Sequence, residues 1–177
     1  QLIVTGSHLH KKYGHTIKEI KSEGFKIDKI IKIPFTTDSD SNATRFVASA
    51  LDKLGKVYKF LKPDLIILLG DRFELLSASI PALLMKIPIA HIHGGELTTG
   101  AIDDSLRHSI TKLSHLHFVT TDEYHQRVIQ LGEHPDRVFN FGAPGLDNLE
   151  RLELLNQKAL EEAIGMKLGL RSLLVTW

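Results

Sequence analysis

The chain has no cysteine, which excludes disulfides and thiolate-held metals. An excess of charge of one sign is also missing. Its 22 basic and 21 acidic side chains leave a formal net charge of +1, with the basic residues dispersed along the sequence. A nucleic-acid binder normally gathers them on one face, so no nucleic-acid partner is expected. No apolar run approaches the roughly 20 residues that span a bilayer, and the start has no signal-peptide pattern, so no membrane partner is expected. Cytoplasm is the default location. Repeats and low-complexity tracts are absent as well. The 42% hydrophobic and 24% charged content is that of a globular domain with a core of its own.

What is present is a regular alternation. Apolar runs of strand length lie at Leu2 to Thr5, Ile27 to Ile33, Leu65 to Leu69, Ile87 to Ile92, Leu116 to Thr120, Val138 to Phe141 and Leu173 to Thr176. Between them, helical patterns run over Tyr13 to Glu23, Ser41 to Leu61, Phe73 to Met85, Asp103 to Leu113, Asp122 to Leu131 and Gln157 to Leu168. Strands with little polar alternation, separated by helices, predict a parallel sheet covered on both faces. The expected fold class is a Rossmann-like α/β layer. Gly142-Ala143-Pro144-Gly145 and the charged stretch after it read as an exit, giving a first domain over 1–155 and the start of a second over 156–177. Gln1 opens inside an apparent strand and the last apolar run stops without a turn signal, so a larger protein is expected.

Chemistry is expected where the apolar runs end in glycine. Gly70-Asp71-Arg72 follows one strand and His91-Ile92-His93-Gly94-Gly95-Glu96 ends the next, at the sheet edge where open α/β folds build their sites. Asp71 reads either as a partly desolvated proton-transfer group or as the N-cap of the following helix. His91 and His93, two apart on a strand, share a face. His93 borders the glycine pair, where backbone approaches a ligand closely, and is assigned to the site; His91 lies deeper and is assigned to structure. Glu96 is a second acid–base candidate or an exposed loop residue. Asp103 and Asp104 open a helix whose next turn carries Arg107 and His108, at spacings that make them neighbours. That cluster reads either as site chemistry, near Gly94-Gly95 and the Thr98-Thr99-Gly100 turn, or as dipole complementarity with a surface ion pair. His115 and His117 are read as structural, the His10-Lys11-Lys12 cluster as a solvated face, and Thr5-Gly6-Ser7-His8 as a weaker ligand-loop candidate.

Three motifs, Gly70-Asp71-Arg72-Phe73-Glu74, His91 to Glu96 and Ile102 to Leu113, resemble the hydrolysing UDP-N-acetylglucosamine 2-epimerases, in the branch serving sialic acid and related nonulosonate sugars. Gly142-Ala143-Pro144-Gly145-Leu146-Asp147 resembles that family's interdomain exit, and the similarity runs over nearly the whole chain. The resemblance implies one half of a two-domain, glycosyltransferase-B-type enzyme with a UDP-sugar as small-molecule partner, no cofactor, no metal, and a dimeric or larger homo-oligomer. It implies further segments outside this piece: a first strand with a Gly-Thr-Arg loop, and a His-Pro segment just after Trp177. Alone, the piece would be catalytically incompetent. The implied reaction removes the C2 proton, expels UDP from C1 to give a glycal, then adds water with inversion at C2. By motif, Asp71 and Asp103 are the acid–base carboxylates, and Asp104 and Arg107 orient the substrate. Arg72, Gly94, Gly95 and His108 complete the expected substrate-binding set. Many relatives carry glutamate at the position of His93; here His93 or Glu96 takes the proton-transfer role, or the departure marks another UDP-sugar such as a bacillosamine derivative.

Two other functions fit parts of the pattern. A metal-dependent hydrolase could use His91 and His93 with a nearby aspartate. A nucleotide-sugar-binding module, or a glycosyltransferase of the same architecture, would not need the carboxylates of Asp71 and Asp103.

Overall fold

A computed structural model describes residues 1–33, 40–99, 102–169 and 171–175. These divide into two compact units, 1–142 and 143–177, with the division earlier in the chain than the boundary read from sequence after residue 155.

In the first unit the alternation of apolar runs and helices becomes, among the described residues, six strands that pair in parallel. They are β1 (Ile3–Thr5), β2 (Lys29–Ile31), β3 (Ile66–Leu69), β4 (Ile89–Ile92), β5 (Leu116–Val119) and β6 (Val138–Asn140). β3-β4-β5-β6 form one sheet in sequence order, and β1 pairs with β2 in a second. β3, β4 and β5 are each followed by a helix that carries the chain back, as parallel pairing requires. The helices are α1 (Ile17–Ser22), α2 (Asp40–Leu61), α3 (Phe73–Leu84), α4 (Asp103–Leu113) and α5 (Asp122–Gln130). The parallel α/β fold expected from the sequence is therefore what the chain adopts.

The core lies beneath α2 and α3. Phe46, Ala50, Leu54, Val57 and Tyr58 form one buried stripe of α2, spaced by three and four residues, against Ala78 and Ala82 of α3 and Leu68 and Ile89 of the sheet. Fully burying an aliphatic side chain of this kind is worth about 1.5–3 kcal/mol. The Tyr58 hydroxyl, drawn into this stripe, donates to the Ala78 carbonyl at 3.2 Å, and burial pushes its pKa upward. The outer edges of β1 and β3 are joined to no strand among the described residues. Leu2, Ile3, Tyr58, Ile66 and Leu68 line a cavity of about 760 Å³ between them.

Several element boundaries differ from the sequence reading. The helix expected from Tyr13 starts only at Ile17, because Gly14 and His15 take positive φ of 84° and 51° and break the first turn. In the second unit, α6 (Asp147–Arg151) precedes α7 (Gln157–Ile164). The Asn156 side chain caps α7 by accepting from the Ala159 N–H at 3.0 Å. α7 ends at Gly165, whose φ of 66° suits a left-handed C-cap, rather than continuing to Leu168. The expected strand from Leu173 does not form over Leu173 to Val175. These residues are exposed and have no ladder partner among the described residues; Thr176, its last residue, and Trp177 lie outside the described residues.

Candidate active site

The carboxyl ends of β3, β4 and β5 bring the singled-out residues to one edge of the sheet. The Gly70 N–H donates to the Ile92 carbonyl at 3.0 Å, so the segments leaving β3 and β4 stay side by side past the last strand residues. Gly70 takes a φ of 95°, a turn conformation open to glycine, and delivers Asp71 and Arg72. α3 begins at Phe73 with Arg72 in the capping position, and no side chain caps it. Asp71 is therefore not the N-cap. Its carboxylate instead accepts a hydrogen bond from Nη2 of Arg107 on α4, whose side chain is 6% exposed.

Arg107 is the centre of a small network. Nη2 also donates to Thr98 Oγ1 at 3.2 Å, and Nη1 lies 3.7 Å from the Asp104 carboxylate. Asp104 in turn accepts from the Thr98 N–H at 2.6 Å, pinning the loop that precedes α4. Nε and Nη1 of Arg107 are buried with no hydrogen-bond partner among the described residues.

The Arg72 guanidinium is raised above its ordinary pKa first by its hydrogen bonds to Glu74, against partial burial, and then by the charges of Glu74, Asp71 and Asp103. One cation thus feels both carboxylates, which come from segments far apart in sequence. Glu74, named in the motif but given no role there, holds Arg72 at 2.8 Å and packs beneath Gly6. His108 shares the α4 turn with Arg107, but its Nδ1 is buried with no hydrogen-bond partner among the described residues.

The two histidines of β4 separate. His91 is fully buried: its Nε2–H donates to the Gly70 carbonyl at 2.8 Å and its Nδ1 accepts from Thr111 Oγ1 at 3.1 Å. Burial is the main cause that lowers its pKa to about 4, so the ring is neutral and structural, as the sequence reading had it. The expectation that His91 and His93 share a face fails. β4 ends at Ile92 and His93 adopts a φ of 66°, which turns its side chain out of the strand pattern. The His93 side chain is 26% exposed and its Nδ1 lies 2.6 Å from Glu96 Oε1. Glu96 is not a free loop carboxylate, since Thr120 Oγ1 also donates to Oε1 at 3.1 Å.

Gly94 and Gly95 are buried against the protein itself. A Cβ on Gly94 would sit 3.1 Å from Thr111 Oγ1, and one on Gly95 would sit 2.6 Å from the Tyr124 carbonyl. Their smallness lets the loop fold flat against α4 and α5 and so places His93 and Glu96. Arg127 of α5 fastens this loop by donating to the Gly95 carbonyl at 2.6 Å. Thr120 and Arg127 escaped the sequence reading; nothing in the local pattern separates them from ordinary strand-end and helix-surface residues.

The weaker candidates are accounted for by structure. Thr5 Oγ1 donates to the Ile31 carbonyl, and Gly6 is buried beside Glu74. His115 accepts from the Ile89 N–H, and His117 pairs with Glu133 at 3.0 Å. Of the turn expected at Thr98-Thr99-Gly100, Gly100 lies outside the described residues. Among the described residues no three histidine or acidic side chains gather as a metal-ligand set, and both nitrogens of His91 are already engaged, so the two-histidine metal site expected of a hydrolase is not assembled.

Comparison with known proteins adds to this geometry. The model of a family described as UDP-N-acetylglucosamine 2-epimerase matches residues 1–176. The chain is 46% identical, over its whole length, to 46% of the GDP/UDP-N,N'-diacetylbacillosamine 2-epimerase (hydrolyzing) of Campylobacter jejuni. It is 42% identical, over 93% of its length, to 42% of the polysialic acid biosynthesis protein P7 of Escherichia coli. Its fold matches a crystal structure of the UDP-GlcNAc 2-epimerase from Neisseria meningitidis bound to UDP-GlcNAc, with a TM-score of 0.73 at 22% identity, covering 93% of this chain and 46% of that one. The chain spans a little under half the length of these relatives.

Proposed function

Because this chain belongs to the UDP-N-acetylglucosamine 2-epimerase family, we propose that the whole protein is a hydrolysing 2-epimerase of a UDP-linked 2-acetamido sugar. It releases UDP and the free sugar inverted at C2: N-acetylmannosamine when the substrate is UDP-N-acetylglucosamine. The Asp71 carboxylate, held at the sheet edge by Arg107 of α4, the helix whose first turn carries Asp103, supports the proposal.

The reaction needs a base to take the C2 proton while the C1–O bond to UDP breaks and a C1=C2 double bond forms. It then needs an acid to return a proton to C2 from the opposite face as water adds at C1. Two carboxylates from different segments, both of whose charges reach Arg72, suit those paired roles. Arg72 beside them offers a positive charge to the departing pyrophosphate. Arg107 and Asp104 fix the first of these carboxylates and the adjoining loop, so the groups are held before substrate arrives.

The α/β layer forms one half of a glycosyltransferase-B-type cleft, with turnover belonging to the whole protein. The edges of β1 and β3, joined to no strand among the described residues and facing one cavity, support a further strand between them in the whole protein. A homodimer or larger assembly and a cytoplasmic location belong to the same proposal. A relative at 46% identity is named for a diacetylbacillosamine sugar and the family for N-acetylglucosamine, so both UDP-sugars are the substrates to offer.

The test is to incubate the whole protein with each UDP-sugar in D2O and follow UDP and the product by NMR. UDP release with deuterium at C2 of the free sugar is the expected result. UDP release without deuterium at C2 would mark a simple hydrolase or glycosyltransferase, and no release from either sugar would defeat the proposal.

A further inference from the structure

We infer that Glu96 is a positioning residue, not an independent acid or base: it fixes His93 as the Nδ1–H tautomer and leaves Nε2 as the atom that exchanges a proton with substrate. This deepens the epimerase proposal and rests on it.

An ionised carboxylate only accepts hydrogen bonds, so the 2.6 Å contact between Glu96 Oε1 and His93 Nδ1 requires the proton on Nδ1. In the neutral ring the lone pair is then on Nε2. No hydrogen bond engages Nε2 among the described residues, and the His93 side chain is partly exposed. Glu96 is held from a second direction, because Thr120 just past β5 donates to the same oxygen at 3.1 Å. A carboxylate oxygen accepting two donors is poorly placed to travel to a sugar carbon.

The backbone serves the same end. The His93 N–H donates to the Phe118 carbonyl at 3.0 Å, holding the residue at its positive φ. Gly95, pressed on Tyr124, returns the chain so that Glu96 meets the ring three residues before it. His91, two residues earlier inside β4, provides the contrast: its proton is on Nε2, and both nitrogens face protein atoms. The sequence thus places two imidazoles two residues apart with opposite tautomers, one closed and one open.

Labelling the histidines of the whole protein with ¹⁵N and recording ring nitrogen–proton correlations reads the tautomer without any substrate. The expected pattern is a protonated Nδ1 and an unprotonated Nε2 for His93, with the reverse for His91. In UDP release, Glu96→Gln, whose amide NH2 can donate to Nδ1 and move the ring proton to Nε2, should lower kcat more than about tenfold with little change in KM, and its nitrogen spectrum should show the switched His93 tautomer. Glu96→Ala should lose at least about 10–100-fold in kcat with little change in KM, the scale seen for outer-shell carboxylates that orient metal-bound histidines. A His93 ring protonated on Nε2 in the parent protein would overturn the inference. So would a Glu96→Gln variant as inactive as His93→Ala whose His93 ring still carries its proton on Nδ1, the outcome for a direct base. If neither UDP-sugar is turned over, the epimerase proposal fails by itself, and the nitrogen spectrum still decides whether Glu96 sets the tautomer.

Discussion

The Arg107 guanidinium on α4 hydrogen-bonds the Asp71 carboxylate beyond β3. The loop after one strand is thereby fastened to the helix after the next, at the sheet edge where the other candidate residues collect.

Cutting this link should cost both stability and chemistry. Arg107→Ala leaves a partly buried carboxylate unpaired, and the loss should be about 2–3 kcal/mol in urea unfolding, below the 3–5 kcal/mol typical of a fully buried pair because Asp71 retains some solvent. Arg107→Lys keeps the charge but cannot serve Asp71 and Thr98 from one planar group, so it should recover only part of that loss. Equal stability of all three proteins would show that the pair contributes nothing.

The buried His91 predicts a pH dependence of folding. Its folded pKa of about 4 lies below the ordinary 6.5, so between these values the unfolded chain binds the extra proton. The stabilising contribution is complete above about pH 6.5 and is lost as pH falls toward 4. Between pH 8 and pH 5 the loss should be about 2 kcal/mol. His117, also lowered mainly by burial, adds a loss of the same sign. Unfolding free energies at both pH values, compared with those of His91→Gln, isolate the effect. The variant should show a smaller drop; an identical drop would assign the dependence to other groups.

Gly95→Ala should be poorly tolerated. The new methyl group would lie 2.6 Å from the Tyr124 carbonyl and 2.9 Å from Val128, at a φ of 81° that side chains rarely adopt. Overpacking and strain together should cost about 2–4 kcal/mol. Thermal unfolding measures it, and a melting temperature equal to the parent's would mean that the loop shifts without penalty.

The sheet and its site were legible in the sequence to different depths. β3 and β4 announced themselves as apolar runs ending in glycine, and α4 opened where Asp103 follows a loop. Local pattern could not tell whether Asp71 caps α3 or leaves the helix, because the answer depends on Arg107, which only the fold brings near. The shared face expected of His91 and His93 assumed that the strand continues, and a single left-handed residue removed it. The glycine pair was read as room for a ligand, whereas its neighbours are Thr111, Tyr124 and Val128. Thr120 and Arg127 act across tertiary contacts, so no spacing could disclose them. The apolar run at the end looked like a strand, yet a strand forms only beside another, and Leu173 to Val175 have none among the described residues.

Two carboxylates serving one sugar ring is the claim on which the rest depends. The direct measurement compares the whole protein with Asp71→Asn and Asp103→Asn, recording UDP-sugar affinity by calorimetry and UDP release under saturating substrate. Each variant should bind within a few-fold of the parent and turn over at least about 100-fold more slowly, the scale of a lost acid or base. Parental turnover in either variant would contradict the account by removing that carboxylate from the chemistry.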